Sequence, residues 1–175
     1  FPRAFFHLLK SGPGDTVSIE VFGDVARKIG SGEVISEEDK SSLFGKAITD
    51  KSTDLWKTFF NWIDSVNNGD LDVNKTKFLL YTNKSGKHSS VDQFSDAKNQ
   101  VDAKEALEKA KTKLSTITTE HDIWKYFDFV VNQNESLLLQ IIPRFEVQYG
   151  SNTGYVEIDE EIKKIEMNLS LPSIP

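Results

Sequence analysis

The chain has 175 residues and a net charge of -6, with 38% hydrophobic and 27% charged residues, enough apolar material for one core of an ordinary globular protein. It contains no cysteine, which excludes disulfides, thiol catalysis and cysteine-ligated zinc. No run of 18 apolar residues occurs, so a membrane-spanning helix is not expected; with no secretory signal in view, the expected setting is cytoplasmic.

The chain opens on Phe1-Pro2-Arg3, without a methionine and partway into an element, and is read as a segment of a longer protein. Residues 3–10 predict a short apolar helix, stopped by Ser11-Gly12-Pro13-Gly14. Residues 16–22 alternate, with Val17, Ile19 and Val21 on one face and Ser18, Glu20 and Phe22 on the other, which is the period of a strand. Gly23 breaks it. A second strand over 25–29 runs into the turn Gly30-Ser31-Gly32, and a third covers 34–43, so the two form an antiparallel hairpin.

Ser52 or Thr53 caps a helix that reaches about Val66, with Leu55, Trp56, Phe59, Phe60, Trp62 and Ile63 on one broad apolar face. Residues 77–82 are a nearly continuous apolar run, the pattern of a strand buried on both faces. Strand, helix and buried strand together imply a crossover unit. Helices follow over 101–114, 123–131 and 158–167, the last with acids early and lysines late, as the helix dipole prefers. Residues 137–142 and 145–149 fit a strand or a buried helix equally well, because periodicity does not separate the two. The economical architecture is a single α/β domain with one mixed sheet flanked by helices, its core over residues 1–90 and a mostly helical completion over 91–175.

One constellation in this order can carry chemistry. Glu38 and Lys40 are two apart on the third strand and share a face, while Asp24 sits at the break one hairpin away. Two carboxylates, with Asp39 beside them and Glu20 as a possible extra ligand, could hold Mg2+ or Mn2+, which are oxygen-seeking ions. Such an ion binds a phosphate oxygen and acidifies a bound water. Lys40 would orient that water and offset charge in the transition state. The acid-x-Lys step alone is common here, recurring at Asp96-Ala97-Lys98, Asp102-Ala103-Lys104 and Glu161-Ile162-Lys163. Those three lie in polar or helical stretches, where residues two apart face different ways.

Basic charge is concentrated locally: Lys75, Lys77, Lys84, Lys87 and His88 fall in a stretch with no acid. Local potential, more than net charge, attracts a phosphate backbone, so these lysines, with Lys57 on the long helix, are the candidate DNA contacts. The competing reading is a solvated lysine-rich strand and turn. The three histidines lack ligand spacing, and no phosphate-cradling glycine motif is present. The four Asn-x-Ser/Thr triplets, at Asn74, Asn83, Asn134 and Asn168, are read as chance in an Asn- and Ser-rich chain.

The α-β-β-β-α-β order, with an acid before the hairpin and acid-x-Lys after it, resembles the PD-(D/E)xK nuclease superfamily. More narrowly, the segments 18–25, 38–43, 54–63 and 76–81 resemble the double-stranded DNA nuclease domains of CBASS and STAND-type antiphage effectors. The resemblance covers about residues 5–82. It implies a restriction-endonuclease-like core, with the metal acid at Asp24 and the acid-x-Lys step at Glu38 and Lys40. It also implies control by a sensor or NTPase module and assembly into a homo-oligomer. Many relatives add an acid from the helix before the first strand; residues 3–10 offer only His7 there. The alternative expectation is a catalytically silent nuclease-like domain used for assembly or DNA binding.

Overall fold

The computed structural model describes residues 2–41, 48–84, 90–151 and 155–170. Among them, five strands make one mixed sheet: β1 (Thr16–Ile19), β2 (Val25–Lys28), β3 (Val34–Asp39), β4 (Thr76–Thr82) and β5 (Phe145–Tyr149), in that spatial order. The β1–β2 and β2–β3 pairs are antiparallel, whereas β3–β4 and β4–β5 are parallel. The parallel pairs are joined by helical crossovers, as parallel strands require. The mixed α/β architecture expected from the pattern is therefore present.

Helix α1 (Pro2–Leu9) precedes the sheet, and α2 (Thr53–Asn67) joins β3 to β4. Between β4 and β5 run α3 (Ser90–Asp96), α4 (Gln100–Lys113), α5 (Trp124–Asp128) and α6 (Glu135–Ile141). A π-helical turn (Phe129–Gln133) links α5 to α6, and a 3-10 turn (Ile142–Arg144) leads into β5. Helix α7 (Tyr155–Ser170) ends the described chain and packs on α1. The ambiguous pair of segments thus resolves into a helix followed by a strand. Helix α3 was not legible as a separate element.

The two faces of the sheet are built differently. On one, Trp56, Phe59, Trp62 and Ile63 of α2 meet Phe78 and Leu80 of β4, Phe145 of β5 and the apolar sides of α3, α4 and α6. The rings interlock, with Trp62 5.3 Å from Phe78 and Phe59 5.2 Å from Phe145, centroid to centroid. Truncating one of these aromatics would cost about 3–5 kcal/mol. On the other face, α1 and α7 cover a smaller, more polar layer. Here the expectation for α1 is inverted: its buried residues are Arg3, Ala4 and His7, while Phe5 and Leu8 are exposed.

Two strands are shorter than their patterns. The alternation over 16–22 ends at Ile19, because Glu20 adopts a left-handed φ of 58° and donates its N–H to the Asp24 carbonyl at 3.1 Å. The expected strand over 34–43 stops at Asp39; Lys40 donates its N–H to the Tyr81 carbonyl, and residues 42 and 43 lie outside the described part.

Candidate active site at the end of the hairpin

The β2–β3 register ends at Val25↔Glu37, so the next step sets Asp24 opposite Glu38. Residues directly opposite on antiparallel strands share a face. Gly23 makes the approach possible. With φ at +115°, it brings its Cα so close to β3 that a Cβ would lie 2.8 Å from the Glu37 carbonyl oxygen. Asp24 is then pinned, its Oδ2 accepting the Asp39 N–H at 2.8 Å.

Lys40 closes the group. Its Nζ lies 2.7 Å from Glu38 Oε2 and 3.7 Å from Asp24 Oδ2. Two contacts to one nitrogen bring both carboxylates well inside the roughly 8 Å separation beyond which they could not share an ion. Glu38 is buried, Lys40 partly so, and Asp24 half-exposed, so the group opens to solvent on the Asp24 side. Burial works against the Lys40 charge. The hydrogen bond and charge of Glu38, then the charges of Asp24 and Asp54, outweigh it and hold the pKa above the ordinary 10.5. Lys40 is thus an ammonium at neutral pH, able to offset negative charge and not to act as a base. Asn61 of α2 reaches Glu38 Oε1 in a long 3.5 Å contact.

Among the described residues, no three His, Asp or Glu side chains converge closely enough to hold a metal ion. The donor set is therefore two carboxylates, Asp24 and Glu38. That suits Mg2+ or Mn2+, which keep several waters and take one or two carboxylates plus substrate oxygens, but does not make an all-protein cage. The other two expected ligands lie near Asp24 but do not complete a three-carboxylate group with Asp24 and Glu38 among the described residues. Asp39 and Glu20 line a cleft with Arg3 and Asp24 on the α1 side of the hairpin end, and Asp39 Oδ1 accepts the Ser41 N–H at 2.8 Å. Glu20 does not share a strand parity with Asp24, because the chain turns between them.

A further acid of β3, Glu37, points to the opposite face from Glu38. It is fully buried on the α1 side, receives Arg3 Nε and Nη2 at 2.6 and 2.7 Å, and meets His7 Nε2 at 2.8 Å. Tyr81 stacks on the guanidinium, its centroid 3.9 Å away. Where a helix acid was sought, α1 supplies two bases to a neighbouring carboxylate. The signal was present: Arg3 and His7 are four apart, on one face of a helix otherwise apolar.

The candidate DNA contacts divide. Lys84 follows β4 at the Lys40 end, and Lys57 is exposed on α2 between Asp54 and Asn61. Lys75 and Lys77 stand at the opposite end of β4, about 17 Å away at strand rise. Lys77 is already paired with Glu146 at 2.5 Å. Lys87 lies outside the described residues. No described helix is long and apolar enough to cross a membrane. Comparison with known proteins gives no match to a family model, a curated protein or a solved structure.

Proposed function

We propose that this chain is the nuclease domain of a prokaryotic antiphage effector, hydrolysing phosphodiesters of double-stranded DNA with Mg2+ or Mn2+. One observation carries the reading: Asp24, one hairpin away in sequence, meets Glu38 and Lys40 at one end of the sheet, both carboxylates within reach of the Lys40 ammonium. The α-β-β-β-α-β run that presents them agrees with a restriction-endonuclease-like core and with the resemblance to PD-(D/E)xK enzymes. Asp24 and Glu38 would hold the ion, which supplies a Lewis acid for a phosphate oxygen and an acidified water. Lys40 stays protonated and faces the charge that develops on the phosphoryl group. Asn61 restrains the Glu38 carboxylate from the α2 side. A sensor or NTPase module and self-assembly belong to the same reading.

A second reading has its own support. The site offers two carboxylates and no helix acid, which suits a silent nuclease-like domain kept for DNA binding or assembly. Plasmid cleavage separates the two. In Mn2+ the protein should nick or linearise plasmid, EDTA should stop it, and Lys40→Ala should lower the rate by about 100-fold or more. Metal-independent cleavage that is equal in both proteins would refute the enzyme. No cleavage, with unchanged duplex binding by the variant, would favour the silent domain.

A further inference from the structure

The two edges of the sheet are finished differently. The β5 edge is closed: α3 packs along it, and Ser95 Oγ accepts the Val147 N–H at 3.0 Å. The β1 edge is open. Glu20 donates its N–H to the Asp24 carbonyl, so by antiparallel alternation Ser18 and Thr16 also bond to β2, and the main chains of Val17 and Ile19 point outward. Among the described residues nothing hydrogen-bonds to either of them on that side. Edge strands are ordinarily guarded by charged side chains, a proline or a bulge. Thr16-Val17-Ser18-Ile19 has neither charge nor proline, and its ladder with β2 is unbroken.

Apolar surface lies beside this edge. Ile19 is opposite Val25, and Val25 is opposite Glu37, so Val17 and Ile19 are on the face that α1 covers. There α1 packs on β1 and β2 and leaves Phe5 and Leu8 exposed. Phe5, Leu8, Ile19 and Val21 are between 43% and 58% exposed, which gives roughly 350 Å2 of apolar surface, an amount that marks an interaction site.

We propose that a second copy of this chain docks here, β1 pairing antiparallel with β1 of that copy about a two-fold axis at Ser18. The strand complements itself. Each outward N–H of Val17 and Ile19 meets an outward carbonyl, and each Val17 faces an Ile19, while no charge stands opposite a like charge. The same axis sets the two α1 helices on one face of the join, with Phe5 and Leu8 beside it. Such an interface is on the order of 1,000 Å2 in total, the low end for a specific one, so the dimer is weak and concentration-dependent. Self-assembly is part of the function proposed above, but this surface does not use Asp24, Glu38 or Lys40.

The test is sedimentation equilibrium from micromolar to millimolar protein, with amide exchange measured at both ends. The mass should rise from monomer to dimer, and exchange at Val17 and Ile19 should slow as it does. Val17→Pro removes an outward N–H and leaves the bonds to β2 in place. Leu8→Glu puts a charge on the exposed side of α1. Each should raise the dimer Kd at least tenfold while the monomer keeps a Tm close to that of the wild type. A wild type that stays monomeric at millimolar concentration overturns the proposal and leaves the edge to a strand of a different protein. A dimer that both variants retain, or that leaves exchange at Val17 and Ile19 unchanged, overturns it too. None of these readouts depends on DNA cleavage, so the hairpin site is judged separately.

Discussion

Glu37 shows how much one side chain can depend on its partners. A fully buried carboxylate is costly unless paired and hydrogen-bonded. Burial pushes the Glu37 carboxyl up, but the hydrogen bonds from Arg3 and His7 and their charges outweigh it and hold the pKa below the ordinary 4.5. Removing one partner leaves the other charge stranded, so Arg3→Ala should cost about 3–5 kcal/mol in urea unfolding at pH 7. The lowered pKa also sets a pH dependence. The unfolded chain takes up the proton first, so the contribution of Glu37 is complete above pH 4.5 and is lost as pH falls through the lower folded value. Stability measured from pH 6 down to pH 3 should therefore drop more steeply for the wild type than for Glu37→Gln; parallel curves would show that the carboxylate contributes no such linkage.

At the scale of elements, the hairpin end is the point where local geometry decides whether a site exists. Gly23 must hold a φ that side chains rarely adopt, against a carbonyl that leaves no room for a Cβ. Gly23→Ala should destabilise the fold by about 1–3 kcal/mol. Because Asp24 is the next residue, the same substitution should lower metal-dependent cleavage by more than the loss of folded protein explains. Cleavage and unfolding measured on one preparation would reveal the difference. Neighbouring Ser36 reinforces the hairpin: its hydroxyl donates to the Phe22 carbonyl at 2.5 Å and accepts from Trp62 Nε1 at 3.1 Å, tying the turn before Asp24 to α2.

Across the whole molecule, the sheet separates a thick apolar layer from a thin polar one. The thin layer is held at discrete points. Glu157 of α7 accepts the Ser151 N–H at 2.6 Å and the Tyr81 hydroxyl at 3.3 Å. Burial, then the charge of Glu157, pushes the Tyr81 hydroxyl up to about 12, so it remains a neutral donor at any ordinary pH. Gly150 lies under the same ring, where a Cβ would fall 1.8 Å from the Tyr81 hydroxyl. Terminal in the described chain and with much of its surface exposed, α7 should open on its own. Glu157→Ala should speed amide exchange across α7 while leaving α2 and β4 protected; equal acceleration in all three would show that α7 unfolds only with the domain.

The sequence by itself determined the elements and most of their order. Alternation marked the hairpin, the broad apolar face marked α2, and the unbroken run at 77–82 marked the central strand, because period and composition are local properties. It also named Glu38 and Lys40, since residues two apart on a strand share a face whatever the fold, and Asp24 from its place at the break before the hairpin. Tertiary structure alone decided the rest. It ended the first strand at Ile19, chose helix for one and strand for the other of two segments whose periodicity fits either, and turned the apolar side of α1 outward, because a buried Glu37 required Arg3 and His7. It also divided a run of lysines contiguous in sequence between opposite ends of a strand: an extended chain carries neighbours in sequence far apart in space.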